Sequence, residues 1–270
     1  MKKTALILTA TVLLLAGCGG GDVKNYNGLY KHGTVAKYNI FVNDVYTGQA
    51  TYTFTHEQYK NGKDCIKIVR NSESRNKIAD VADDIVTSVS EVWFDINDYT
   101  PYYQKFRTDW SGKTAGWQET ECEYGDKIVK WINKTPAGSQ SKDIKFYETY
   151  YDEDEMAWLI PLLGYKEDKK VYFTAFANRS GQPVQGLIWM GSRKNVVSSN
   201  VSYDSFAASA RLNEIPQKVW FDINTGRLVK YMQDAGFMGY PVNPKNVPED
   251  YTPPTTTYVE SLDSWTEPQN

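Results

Sequence analysis

The chain has 270 residues, 23% charged and 14% aromatic, with 20 Tyr and 8 Trp. That length supports one large β domain or two small ones with a buried core. The formal net charge of -3 argues against a nucleic-acid partner, which would need a basic surface to neutralise phosphates.

Lys2 and Lys3 precede an apolar run of 12 residues, Ala5 to Ala16. The run is too short to cross a bilayer and has the length of a signal-peptide core. Leu15-Ala16-Gly17-Cys18 follows, small residues before a cysteine, which reads as a bacterial lipobox. Residues 1–17 are therefore expected to leave as a signal peptide, with Cys18 acylated as the membrane anchor. Gly19 stands where the bacterial sorting rule places the inner-membrane Asp. The expected address is the outer membrane, facing the periplasm, or the outer face of the cytoplasmic membrane where there is no outer one. Loss of Lys2 and Lys3 leaves 28 of the 30 basic residues against 33 acidic ones. Gly19-Gly20-Gly21-Asp22 then opens a segment, 18–33, expected to serve as a flexible tether.

From Val35 the pattern alternates with period two, the mark of half-buried strands. Ala36, Tyr38, Ile40 and Val42 share one face; Tyr52 and Phe54 oppose Thr51, Thr53 and Thr55. Strand-like runs continue at Cys65–Val69, Ile85–Phe94, Tyr102–Trp110, Gly116–Glu123 and Lys127–Ile132. Turn residues such as Asn61-Gly62 and Gly125-Asp126 punctuate them, which predicts antiparallel β. One helix is predicted, from Glu153 to about Leu163. Met156, Leu159, Ile160 and Leu163 lie on one face, Asp152 and Glu155 hold capping-box positions, Pro161 breaks the helix and Gly164 ends it. Strand signals resume at Val171–Ala177, Gly186–Met190, Val196–Val201, Gln217–Asp222 and Leu228–Gln233. Residues 241–270 carry six prolines and are expected to form an extended tail outside the domain, wrapping it or partly disordered.

The hexapeptide Val-Trp-Phe-Asp-Ile-Asn occurs at Val92–Asn97 and again at Val219–Asn224. Upstream, Tyr52-Thr53-Phe54 is matched to Tyr172-Phe173-Thr174; downstream, each copy is followed by a turn and a returning strand. The domain 34–240 thus reads as a duplicated antiparallel scaffold with halves of about 34–135 and 145–240. Alternation places Trp93 with Asp95, and Trp220 with Asp222, opposite Val92 with Phe94 and Val219 with Phe221. Asp222, Asn224 and Gly226 faintly suggest a calcium loop, but the further acidic ligands are missing and turn chemistry accounts for the three residues better.

Chemistry-bearing motifs are sparse. Neither of the two histidines, His32 and His56, stands in a triad or zinc pattern, and no nucleophile elbow or phosphate-cradling loop is present. Asp80, Asp83 and Asp84 read as a solvated run rather than a cation site. No catalytic residue, metal ligand or cofactor is expected. Cys65 and Cys122 lie in strand-like segments, either as one disulfide or as two buried thiols. The remaining asset is aromatic: Tyr151, Trp158, Leu159, Trp189 and Trp220 are candidate lining residues of an apolar groove, against the alternative that they fill the core.

Three stretches carry a family resemblance: Thr100-Pro101-Tyr102-Tyr103, the helix Asp154 to Gly164 with its Leu159-Ile160-Pro161-Leu162-Leu163-Gly164 ending, and Val219-Trp220-Phe221-Asp222 followed by Arg227-Leu228-Val229-Lys230. Over about residues 34–240 the chain resembles a family of uncharacterised bacterial envelope proteins, a domain of unknown function, whose broader relatives resemble the lipoprotein-carrier half-barrels LolA and LolB. The resemblance implies a mainly β fold, a curved antiparallel sheet or half-barrel with a cavity suited to acyl chains, and it implies no catalysis. The expected protein is a membrane-anchored, non-enzymatic lipoprotein that binds lipid or another apolar envelope ligand. The alternative is a structural lipoprotein with a filled core that binds another envelope protein.

Overall fold

Among the described residues fifteen strands form, most of them because alternation lets a strand bury one face and wet the other. The structure is a computed structural model that describes residue 26 and residues 28–60, 62–76, 84–111, 115–146, 150–164, 166–212, 215–236 and 255–268. The first half contributes β1 (Thr34–Val42), β2 (Val45–Gln58), β3 (Asp64–Asn76), β4 (Asp84–Asp95), β5 (Pro101–Trp110), β6 (Gly116–Gly125), β7 (Ile128–Thr135) and β8 (Gly138–Lys145). The second contributes β9 (Tyr150–Asp152), β10 (Lys170–Ala177), β11 (Gln182–Ser198), β12 (Val201–Leu212), β13 (Ile215–Asp222), β14 (Leu228–Gly236) and β15 (Thr255–Thr266). Between β9 and β10 lie α1 (Met156–Leu159) and a 3-10 turn, Ile160–Leu163.

All fifteen join one sheet, in the order β8-β7-β6-β5-β4-β3-β2-β1-β15-β14-β13-β12-β11-β10-β9. Neighbours are antiparallel except β9, which runs parallel to β10 across the helix. A twisted sheet longer than about ten strands must curl or split, and this one curls into an open barrel. The two halves lie in tandem along it. β15 follows β14 as β6 follows β5, and it also pairs with β1. Thr255–Thr266 of the Pro-rich segment is therefore not a tail outside the domain: this strand stitches the halves together. Tyr258, Glu260 and Leu262 alternate inward behind Pro253 and Pro254, and the proline content obscured that period.

Two further expectations are corrected. The segment to Gly33 is not free tether throughout, because Tyr26, Leu29 and Tyr30 are buried in the core. Val196–Val201 is not one strand but the two sides of a turn, with Ser199 and Asn200 at positive φ. Residues 1–25, with the predicted lipobox and Cys18, lie outside the described residues, as do 237–254.

The inward face is aromatic and aliphatic. Tyr38, Phe54, Phe94, Phe206 and Phe221 are fully buried. Into it packs the helix, shorter than predicted: one α turn, then the 3-10 turn where Pro161 removes an N–H. It also begins three residues later than predicted, at Met156 with Glu155 at its N-cap, and the expected capping bonds close the turn before it instead. The Asp154 N–H donates to Asp152 Oδ1 at 2.8 Å, and the Asp152 N–H donates to Glu155 Oε1 at 2.9 Å. Trp158 sits at the centre, its ring 4.7 Å from Tyr52, 5.2 Å from Phe54, 6.0 Å from Tyr30 and 6.3 Å from Tyr38.

Candidate functional site

The two hexapeptides are one device built twice. Each strand shifts register between its Trp and Phe. The Asp95 N–H donates to Thr100 O at 2.9 Å and the Asp222 N–H to Arg227 O at 3.0 Å. The Asn97 N–H donates to Asp95 Oδ1 at 2.8 Å, and the Asn224 N–H to Asp222 Oδ1 at 3.1 Å. Ile96 and Ile223 donate to Asp64 O and Asp204 O on the preceding strands, at 3.1 and 2.8 Å. The second oxygens accept from Tyr102 and from Thr225. Both aspartates are thus committed to their turns. The Tyr102 hydroxyl is pushed up to about 12, first by burial and then by Asp95.

The copies diverge after the hexapeptide, most consequentially at its second following position. Tyr99 and Gly226 occupy equivalent places at positive φ, 62° and 74°, each donating its N–H to the aspartate carbonyl. Tyr99 sends its own ring toward Phe94. At Gly226 a Cβ would lie 2.5 Å from the Tyr26 ring. Tyr26 fills that space from outside the turn, stacks on Phe206 and donates its hydroxyl to Ile223 O at 2.8 Å.

Between the N-terminal segment, the first turn and the 3-10 turn lies a half-open pocket of about 260 Å³. Leu29, Ile66, Ile96, Tyr99 and Leu162 supply apolar walls, with Gly28, Tyr30, His56 and Asn97 at its polar edge. His56 is held by two contacts that sequence reasoning missed: its backbone N–H donates to His32 Nδ1 at 3.0 Å, and its Nε2 donates to Tyr30 O at 2.5 Å. Burial raises the Tyr30 hydroxyl well above its ordinary range, and that hydroxyl donates to Trp158 O at 2.6 Å.

Further along the inner face, a charged network joins the halves. Arg70 on β3 donates to Glu260 on β15 at 2.7 Å, to Tyr258 at 3.0 Å, and to Ser72 and Ser88 at 2.8 Å each. Tyr52 and Tyr258 each donate to Glu260 at 2.6 Å. Burial, then Glu260, raises both tyrosines well above their usual range.

The predicted lining residues do not converge. Trp158 and Leu159 are buried in the core, and Tyr151 packs at its margin against Phe173. Trp189 is 48% exposed on the outer face beside Lys170. Trp220 is buried on that outer face, where the β11–β12 tip folds over it with Val196, Ala207 and Val229. Lys194, Lys218 and Lys230 stand 5.2 to 5.7 Å from its ring. The matched upstream strands are also one out of register: Tyr52 lies two strands before its hexapeptide and Tyr172 three. Cys65 and Cys122 are free buried thiols on β3 and β6. Two strands separate theirs, about 14 Å at the usual spacing, beyond the reach of a disulfide. Among the described residues, no group of three His, Cys, Asp or Glu is arranged to hold a metal ion.

These features define an open, β-barrel-like domain made from one duplicated sheet and plugged by a short helix. Residues 36–235 match the family described as "Protein of unknown function (DUF3108)", and the chain belongs to that family. It is also similar to a solved structure, the crystal structure of a beta-barrel-like protein of Domain of Unknown Function DUF1849 from Brucella abortus. The identity is 9%, the TM-score 0.58, and the likeness covers 92% of this chain and 100% of that one; at that identity it is a likeness of fold. No curated protein matches.

Proposed function

We propose that the protein is a lipid-anchored, non-enzymatic envelope protein that binds the apolar part of an amphipathic envelope ligand, such as a lipid, in the pocket beside Leu29, Ile96 and Leu162. The carrying observation is that pocket. An apolar cavity of about 150 Å³ already takes benzene, so this one has room for a larger ring or the end of an acyl chain, with His56 and Asn97 near the ligand's polar end. The lipobox supports the anchor. Cys18 precedes Tyr26 by eight residues, a reach of roughly 27 Å at most. Anchoring there holds this end of the barrel toward the membrane, in the outer membrane facing the periplasm, or on the outer face of the cytoplasmic membrane where there is no outer one. The kinship with LolA and LolB belongs to this proposal, with the acyl chain moved from the barrel centre to its end.

A second reading has its own support. The helix and Trp158 fill the barrel centre, as in a structural lipoprotein that binds an envelope protein rather than a small ligand. Native mass spectrometry of the chain from Asp22 onward, purified without detergent, separates the two. Excess mass released on denaturation as lipid, and lost in Leu162→Trp, supports the pocket. A bare mass after incubation with envelope lipids overturns it.

A further inference from the structure

The two ends of the sheet meet without a ladder. No backbone bond among the described residues joins β9 or β10 to β5, β6 or β7. Closure rests on side chains. Cys122, Tyr124, Val129 and Trp131 pack against Phe146, Tyr150 and Phe176. Trp131 Nε1 donates to Asn178 O at 2.5 Å, Tyr150 Oη to Gly125 O at 2.8 Å, Gln104 Nε2 to Asp154 Oδ2 at 3.0 Å, and Tyr124 Oη to Asp152 Oδ2.

The joint is acidic and rich in acceptors. Asp152 and Glu155 are wholly buried. Glu155 Oε2, Gln104 Oε1 and Asn178 Oδ1 are buried without partners. All three are acceptors, and an ionised carboxylate adds none of the missing donors, whereas each bound proton adds one. Asp152 accepts from Tyr124, Asn178 Nδ2 and the Asp154 N–H, and Glu155 Oε1 from the Asp152 N–H, yet among the described residues neither carboxylate forms an ion pair, and burying a charge without a counter-ion is costly. We propose that this joint is a proton-controlled latch: β9 and β10 hold to β5–β7 while the buried acids carry their protons, and their ionisation releases that edge and opens the barrel.

The surroundings agree. Tyr124 and Cys122 face the acids from β6, Tyr150 and Tyr151 from β9, Asp154 and Glu153 from their own turn, Tyr231 from β14, and Arg179 is the facing cation. Burial, reinforced by the neighbouring carboxylates, raises Asp152 and Glu155 well above the carboxylate range. Glu153 is raised to about 7, by burial first and Asp154 second, against the pull of Arg179. For acids raised in the closed state, stability is fully present below the ordinary carboxylate range. It falls as pH rises through the closed-state value. Opening therefore becomes easier from about pH 4 through 7 and above.

The test is hydrogen exchange on the full mature protein between pH 5 and 8, corrected for intrinsic exchange, comparing amides of β7 and β10 with those of β2 and β3. The expected opening constant at the joint rises about tenfold per pH unit for each proton released, while β2 and β3 stay level. Asp152→Asn with Glu155→Gln should reduce that rise to what Glu153 alone contributes, at most one proton's slope below about pH 7. A joint that follows β2 and β3 in the unmodified protein overturns the latch, which needs no variant to fold. An undiminished slope in the folded double variant overturns it as well.

Discussion

Glu260 is the buried charge that adds to the β1–β15 ladder a side-chain link between the C-terminal strand and the first half, and its replacement gives the sharpest test of the tandem sheet. Its side chain is 5% exposed and that of Arg70 is 17%. Glu260→Leu would strand the guanidinium among Tyr52, Tyr258, Ser72 and Ser88. It would also take the acceptor from two buried tyrosyl hydroxyls. Breaking one side of such a pair costs about 3–5 kcal/mol. Replacing both sides with apolar groups avoids the unpaired charge, so Arg70→Met with Glu260→Leu should cost well under the sum of the single changes, a coupling of about 2 kcal/mol or more. Urea unfolding followed by tryptophan fluorescence reads this from midpoints at unchanged slope. Single variants within about 1 kcal/mol of the unaltered protein, or a double variant that is simply additive, would refute the reasoning, since either result means that the network carries no joint load.

Gly226→Ala should destabilise by about 1–3 kcal/mol, from the close approach to Tyr26 added to the positive φ. In a Tyr26→Ala background the steric part should vanish, which thermal unfolding of the four-protein cycle will show. Burial pushes the Cys65 thiol up to about 11 and the Cys122 thiol further. Neither should react with iodoacetamide in the native protein at pH 8, and both should react once it is unfolded; a denatured protein that takes up no label without reductant would instead report a disulfide.

Much of this fold was written locally. Period-two alternation in Tyr38–Ile40 or Tyr52–Phe54 fixes a strand and its buried face, because side chains alternate whatever lies beside them. Asp and Asn in each hexapeptide bond their own backbone, so the turn follows from residues within reach of one another. Asp152 and Glu155 likewise close the turn that leads into the helix, and Pro161 sets where it tightens. The pattern Leu15-Ala16-Gly17-Cys18 is local too, and the expectation it raises needs no fold.

What the tertiary structure decided is which distant residues meet. Whether Trp220 lines a groove or lies outside depends on the β11–β12 tip curling over it, and no spacing in the sequence reports that curl. Tyr26 and Gly226 are 200 positions apart, yet the ring and the missing Cβ fit one space. The signal was present in a hexapeptide followed by Tyr99 in one copy and Gly226 in the other, but only packing shows what fills the difference. Arg70 and Glu260 read separately as ordinary strand charges, and become a buried pair only because β15 enters the sheet beside β1. The order of strands is set by which edges find partners across the whole chain, a long-range property that local alternation does not encode.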